Sequence, residues 1–440
     1  MIKNGLKKLY EKKFLEALKI FTELIEKDKT NINALYCLAN VYYELNDLKK
    51  SLIYYEKSLS NSPNSEIIIN NYALALQGTG DIEKAKKLFE TIIKLNPNNI
   101  KAYYGLFKLD TFGFPNKYFK YLKSLDKKNN LTLEDKSLIN FVFSKSEKNN
   151  NNIEKEIFYL DKAHKYWFDF KKEYNSQMLI FYEKILINNF NQNNFTNKLN
   201  NSSFISDNNH IFIIGLPRSG STLVEALLLQ NSEKIYSYGE TSIFDFSIFN
   251  QIKKEFFNKK IDIHKLELVI DDNILIDSVK NVYMYSKDKI IIDKSLENFF
   301  YIDIILKLFP KAKFIHTFRD NMDAKIAIYQ AMLIHLPWTH SFNKISKYIL
   351  NYEKIMNYFK KKYPEKILDI KLEKLTSDPK FYSKQIYNFC DLNWNEKVLE
   401  FFKNKNLTTK TSSFLQIRSN IKKSKEYKYK PYYSLLKKDK

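Results

Sequence analysis

"IFIIGLPRSGSTLVEALLLQ", residues 211–230, decides how this chain is read. Ile211–Ile214 is a short apolar run rich in β-branching, the pattern of a buried strand, and "STLVEALLLQ" has helical spacing. The turn between them carries two of the chain's eight glycines, Gly215 and Gly220. Backbone amides at a helix N-terminus are partially positive, and glycines let them approach an anion closely. Arg218 adds a planar fork for phosphate or sulfate oxygens after Pro217, and Ser219, Ser221 and Thr222 add hydroxyl donors. A nucleotide-hydrolysing loop of this spacing places lysine at 221 to reach the β- and γ-phosphates, and here Ser221 stands instead. The loop therefore suits an anion with no γ-phosphate and no Mg²⁺ bridge.

Downstream the same alternation continues. "KIIIDK" (289–294), "KAKFIHTFR" (311–319) and "EKILDIKL" (365–372) read as further buried strands. The helical stretches "LENFFYIDIILKLF" and "NMDAKIAIYQAML" separate them, which predicts a parallel sheet with crossover helices. Ligands of such sheets sit at the carboxyl ends of the strands. The first three strands end at Arg218, Lys294 and Arg319, all polar groups suited to an anion.

Upstream lies a repeat. Shifting residues 30–63 by 34 superposes Ala39 on Ala73, Asp47 on Asp81, Lys50 on Lys84 and "SPN" (62–64) on "NPN" (96–98). A small residue (Ala17, Ser51, Ala85) recurs where two helices approach, and an aromatic (Phe21, Tyr55, Phe89) follows four residues later on the same face. Pro63 and Pro97 separate one helix pair from the next. Three units cover about residues 1–97, and a weaker fourth, with "FGFP" (112–115) in its turn, runs to 131. Further amphipathic helices are expected over 134–190, broken by "KSEKNNNNIEK" (145–155). The Asn/Ser-rich stretch 188–209 reads as a linker.

A chain of 440 residues with 44% hydrophobic and 15% aromatic content is globular and multidomain. Its net charge of +22 is spread along the whole length among Asn, Ile and Tyr, which argues for a solvated surface over a dedicated nucleic-acid face. The segment from Arg418 onward is strongly basic and could border an anion pocket. Two cysteines, Cys37 and Cys390, form no disulfide framework, no signal-peptide pattern opens the chain, and no apolar run approaches the roughly 18 residues of a membrane span. These features predict a cytoplasmic protein without a membrane span. His316 lies inside an apolar strand and reads as structural; His335 and His340 lack a third ligand nearby, so no metal is expected.

The periodic region resembles the tetratricopeptide repeat, a helix–turn–helix unit that stacks into a solenoid. "FIIGLPRSGSTLVEALL" resembles the 5′-phosphosulfate loop of sulfotransferases, and "FIHTFRDNMDAKIAIYQ" (314–330) resembles their 3′-phosphate signature. The whole chain is similar to bacterial sulfotransferases with N-terminal tetratricopeptide repeats, whose catalytic domain is similar to that of protein-tyrosine sulfotransferases. The resemblance implies an α-solenoid (1–131), further helices and the linker (132–200), and an α/β sulfotransferase domain with a central parallel sheet (201–440). It implies 3′-phosphoadenosine 5′-phosphosulfate as donor, a hydroxyl acceptor on a protein or carbohydrate, and a protein partner for the repeats. By position, "SYGE" (237–240) makes Glu240 the general base and "DKSLENF" (293–299) places Lys294 at the bridging oxygen. Pro217, Arg218, Ser219, Gly220, Ser221, Thr222 and Arg319 would hold the donor. "SSFLQIRSN" (412–420) adds Ser413, and Lys428 follows.

Three positions depart from that pattern: Ala327 replaces a serine that contacts the 3′-phosphate, Asn321 a proline, and Leu372 a tyrosine. A lost hydroxyl contact costs about 1–2 kcal/mol, roughly tenfold in affinity, and Lys325 on the same helix could partly substitute. The alternatives are a repeat scaffold carrying a decayed enzyme domain, and a P-loop kinase, which the missing lysine opposes.

Overall fold

The computed structural model describes the chain apart from residues 111, 128–129, 192–208, 232, 254–269, 405, 412 and 435–440. The repeat region is built from helix pairs: α1 (Ile2–Tyr10) with α2 (Phe14–Lys27), α3 (Ile32–Glu44) with α4 (Leu48–Asn61), α5 (Glu66–Thr79) with α6 (Ile82–Leu95), and α7 (Ile100–Leu109) with α8 (Asn116–Asp126). The 34-residue period reappears in the caps. Asp47 and Asp81 accept from the Lys50 and Lys84 amides at the starts of α4 and α6, satisfying N–H groups a helix leaves unbonded. Ala17, Ser51 and Ala85 are buried with the aromatics four residues on. Gly105 shows how close the packing is: a Cβ there would lie 2.5 Å from the Phe89 ring.

Four more helices follow: α9 (Leu133–Asn149), α10 (Ile153–Phe170), α11 (Lys172–Ile180) and α12 (Leu186–Asn191). The expected loop at 145–155 shrinks to residues 150–152, because α9 runs on to Asn149. Lys145 and Lys148 there are held by tertiary partners, which extend the helix beyond its apolar pattern. Of the expected linker, residues 188–191 finish α12 and 192–208 lie outside the described residues.

The rest alternates strand and helix: β1 (His210–Gly215), α13 (Ser221–Leu228), β2 (Ile235–Ser237), α14 (Ile243–Ile252), α15 (Asp272–Tyr283), β3 (Ile290–Asp293), α16 (Ile302–Leu308), β4 (Lys313–Phe318), α17 (Asn321–Ala331), α18 (Phe342–Lys362), β5 (Ile367–Lys371), α19 (Leu372–Ser377) and α20 (Pro379–Phe389). The strands form one sheet in the order β2-β3-β1-β4-β5, every pairing parallel. The four expected strands are present; β2, three residues long, was too short to show a period.

Because side chains alternate across a strand, the sheet feeds two cores. Ile211, Ile213 and Ile315 pack with Val224, Leu227, Ile386 and Tyr387 on one face. Phe212, Ile214 and Phe314 join, on the other, a single apolar cluster that reaches back through Trp167 and Phe107 to Phe21 in the first repeat. The repeats and the sheet thus share one core. No described helix is long and apolar enough to cross a membrane.

Candidate active site

β1 lies centrally, with neighbours added on opposite sides, so the loop after it opens at the switch point of the sheet. Gly215 has φ +136°, and a Cβ on it would lie 2.1 Å from the Thr317 carbonyl oxygen on β4. Arg218 (φ +65°) and Gly220 (φ +95°) then take left-handed conformations, the winding that turns successive amides toward an anion. A left-handed arginine costs about 1–3 kcal/mol, a strain characteristic of functional loops. Arg218 Nη1 donates to Ser413 Oγ, so Ser413 orients the arginine. Pro217 is buried, and Thr222 Oγ1 lies 3.3 Å from Thr411 Oγ1. Ser219 is 1% exposed and its hydroxyl has no protein partner, a buried donor left for something else. Leu372 packs on the loop: a Cβ at Gly220 would sit 2.8 Å from its Cδ1.

Arg319 follows β4 on the neighbouring strand end. Its Nη2 donates to Asp323 Oδ2 at 3.1 Å and lies 3.5 Å from Glu373 Oε1; its Nε is buried without a partner. Asp323, one helical turn into α17, also accepts from the Lys428 and Tyr429 amides, both at 3.0 Å, and from the Tyr433 hydroxyl at 2.9 Å. The basic C-terminal segment is thereby tied beside Arg319, and the Tyr429 ring lies 5.6 Å from the guanidinium. Ala327 is on the Asp323 face of α17, four residues on and buried. Lys325 points elsewhere, its ammonium 5.5 Å over the Phe342 ring, which does not favour the substitution expected of it. Asn321 donates to Glu353 at 2.6 Å, while Asp320 caps the helix.

Glu240 and Lys294 meet at the ends of β2 and β3. Asp293 accepts from Thr241 Oγ1, the Tyr283 hydroxyl, the Ser295 amide and Asn298 Nδ2, which freezes the turn after β3. Lys294 is fully buried; its amide donates to Gly239 O at 2.9 Å and its Nζ to Glu240 Oε1 at 2.7 Å. Burial works to neutralise that amine, but Glu240 and Glu225 outweigh it and hold the pKa above the usual lysine value. Glu225, whose Oε2 lies 3.7 Å from Lys294 Nζ, escaped sequence reading; its signal was a lone acid inside the apolar helix α13.

The repeats border this corner. Asn46 Nδ2 donates to Ser237 O at 2.9 Å, the Tyr236 hydroxyl to Leu45 O at 2.7 Å, and Lys12 Nζ to Thr241 O. Lys410 Nζ donates to Tyr43 O at 2.8 Å. The segment carrying Glu240 is therefore clamped on both sides by repeat residues, a relation no local pattern announces.

Other titratable groups lie apart. His316 is buried with Nδ1 2.6 Å from Asp369 and Nε2 bonded to the Tyr352 hydroxyl, a structural role. His340 pairs with His164, Nδ1 to Nδ1, at 2.8 Å, joining α10 to the turn before α18. Burial pushes the Cys37 thiol up to about 11 and that of Cys390 to about 12. Among the described residues no group of three or more His, Cys, Asp or Glu could hold a metal ion.

Residues 210–396 match the model of the sulfotransferase family, and residues 32–65 and 68–99 each match a tetratricopeptide repeat. An uncharacterised protein of Aquifex aeolicus is 31% identical over 234 residues, which is 50% of this chain and 30% of that relative. The match thus spans less than a third of the relative's length. Among solved structures, the sulfotransferase domain from the curacin biosynthetic pathway is 19% identical, covering 49% of this chain and 88% of its own, with a TM-score of 0.35. The sulfotransferase domain from the Synechococcus PCC 7002 olefin synthase is 17% identical, covering 51% and 88%, with a TM-score of 0.36.

Proposed function

We propose that this chain, which carries a sulfotransferase-family domain behind tetratricopeptide repeats, transfers a sulfuryl group from 3′-phosphoadenosine 5′-phosphosulfate to a hydroxyl acceptor. The observation that carries the reading is the Lys294–Glu240 pair beside the β1 loop, with a buried cation facing inward and a carboxylate 52% exposed. The acceptor oxygen would form its bond to sulfur as the sulfur–oxygen bridge to the 5′-phosphate breaks, the bridging electrons staying on the departing phosphate. Glu240 would take the acceptor's proton, a contribution of about 10²–10⁴-fold. Lys294 would balance the charge on the leaving oxygen, a role for fixed cations in loose, in-line displacements.

Two buried donors without protein partners, Ser219 Oγ and Arg319 Nε, support an anionic donor at this place. In this reading the amides of 217–222 and Arg218 hold the 5′-phosphosulfate, with Ser413 behind Arg218. Arg319 and Lys428 hold the far phosphate, whose remote binding energy orients the reacting end. The division into 1–131, 132–200 and 201–440 belongs to the same proposal, as does a protein partner on the repeats.

Thermal unfolding of the full chain with adenosine 3′,5′-bisphosphate, the expected product, tests the donor. A ligand that binds only the folded state must raise the melting temperature, so no shift at millimolar ligand overturns the reading. The scaffold alternative rests on Ala327 and Leu372; bisphosphate binding without transfer to any tyrosine peptide or glycan would favour it.

A further inference from the structure

The sulfotransferase-family match begins at residue 210, yet the surroundings of Arg319 include side chains from before it. Two lysines of α9 reach across to α17: Lys145 Nζ donates to Gln330 O, and Lys148 Nζ to Gln330 Oε1 at 2.5 Å. Lys148 also stands 5.8 Å from the centre of the Tyr429 ring, the ring that Arg319 covers at 5.6 Å and Lys428 at 5.4 Å. Cations from α9, the end of β4 and the C-terminal segment thus share one aromatic side chain. Burial disfavours the protonated forms of Lys145, Lys148 and Lys428, and neighbouring cations, Arg218 among them, disfavour them further.

The local carboxylates do not balance this group. Asp323 is committed to Arg319, two amides and a hydroxyl. Glu156 accepts from Gln330 Nε2 at 2.9 Å and the Tyr432 hydroxyl at 2.6 Å, and lies 4.0 Å from Lys148. With Glu373, these make three carboxylates against five cations, counting Arg218, Arg319, Lys145, Lys148 and Lys428. Crowded, half-dehydrated like charges are unfavourable unless an anion joins them. The partnerless Nε of Arg319 and Oγ of Ser219 independently mark the space as incomplete, while Glu373, whose two oxygens are also without hydrogen bonds, offsets part of the Arg319 charge with its Oε1 at 3.5 Å.

We infer that α9 supplies Lys145 and Lys148 to the pocket for the donor's phosphates, so that the helical region completes the donor site. The inference rests on the donor reading above. Burial, with Lys148 and Arg218 nearby and Glu156 opposing, brings Lys145 down to about 7. A phosphate dianion bound beside it would restore its proton.

Titration calorimetry of the full chain with adenosine 3′,5′-bisphosphate tests this, comparing wild type with Lys145→Met, Lys148→Met, the corresponding Arg variants, and Lys155→Met on the exposed side of α10. Each Met variant should bind about tenfold more weakly, with Arg restoring most of the loss and Lys155→Met unchanged. At pH 8 wild-type binding should take up a proton, seen as an enthalpy that varies with buffer, and Lys145→Met should abolish the uptake. Unchanged affinity in both Met variants overturns the inference and leaves the donor reading standing. Should either variant fail to fold, absence of proton uptake by wild type overturns the inference. A wild type that does not bind the bisphosphate overturns both.

Discussion

Lys294 Nζ lies 2.7 Å from Glu240 Oε1, and the two side chains occupy opposite surroundings, 0% and 52% exposed. The carboxylate is half open to solvent, while the ammonium is buried beside it. Glu240→Gln should therefore leave bisphosphate affinity within about twofold and lower single-turnover transfer by about 10²–10⁴-fold. Turnover near the wild-type rate would remove Glu240 from the base role.

Arg319→Ala should abolish the preference for adenosine 3′,5′-bisphosphate over adenosine 5′-monophosphate, measured as a ratio of dissociation constants. The fold should survive, because Asp323 keeps two amides and the Tyr433 hydroxyl as partners. A retained preference would place the 3′-phosphate elsewhere.

The repeat clamp on the Glu240 segment makes a separate prediction. Asn46→Ala and Lys12→Met each remove one hydrogen bond to a carbonyl flanking Glu240, worth about 1 kcal/mol. Both should lower kcat several-fold with donor affinity unchanged. Equal losses in kcat and donor affinity would point to a general loosening of the domain instead.

Gly215→Ala should destabilise the protein by about 2–5 kcal/mol in urea unfolding, since the new methyl meets a carbonyl oxygen of β4 at 2.1 Å and φ is +136°. A loss below about 1 kcal/mol would mean that β1 and β4 can separate at the loop.

Asp245 and Glu297 each make a contribution to stability that falls as the solution becomes more alkaline. Burial raises the Asp245 carboxyl to about 6 and, with Asp245 beside it, the Glu297 carboxyl to about 8. Both acids bind protons more tightly folded than unfolded, so the native state holds more protons between their ordinary carboxylate values and these raised ones. Their stabilising contribution is complete at low pH and is lost as pH rises through about 6 for Asp245 and about 8 for Glu297. Lys145, brought down to about 7, acts in the opposite sense in the same range, so the reading is a difference: the melting temperature of wild type relative to Glu297→Gln should fall between pH 6 and pH 8.5, values chosen to bracket the Glu297 step. An unchanged slope in that variant would assign the effect to another group.

Much of this molecule was legible from sequence because the governing physics is local. Strand and helix periods, the glycine turn at 215–220 and the 34-residue recurrence depend on neighbours a few residues apart, so they located four strands, the repeats and the strand-end residues Arg218, Lys294 and Arg319. Strand β2 was not legible, since three residues show no period. Glu225 was hidden as one acid in an apolar helix, and the continuation of α9 through Lys148 as part of an Asn/Lys loop. The rest was decided by packing across the chain. Asn46 bonds Ser237 across 191 positions, and Lys148 bonds Gln330 across 182. Such pairs exist only because one face of the sheet shares its apolar core with the repeats, which brings polar side chains from the helical region to both ends of the site. A chain read locally reveals which residues can do chemistry; the shared core decides which of them stand together.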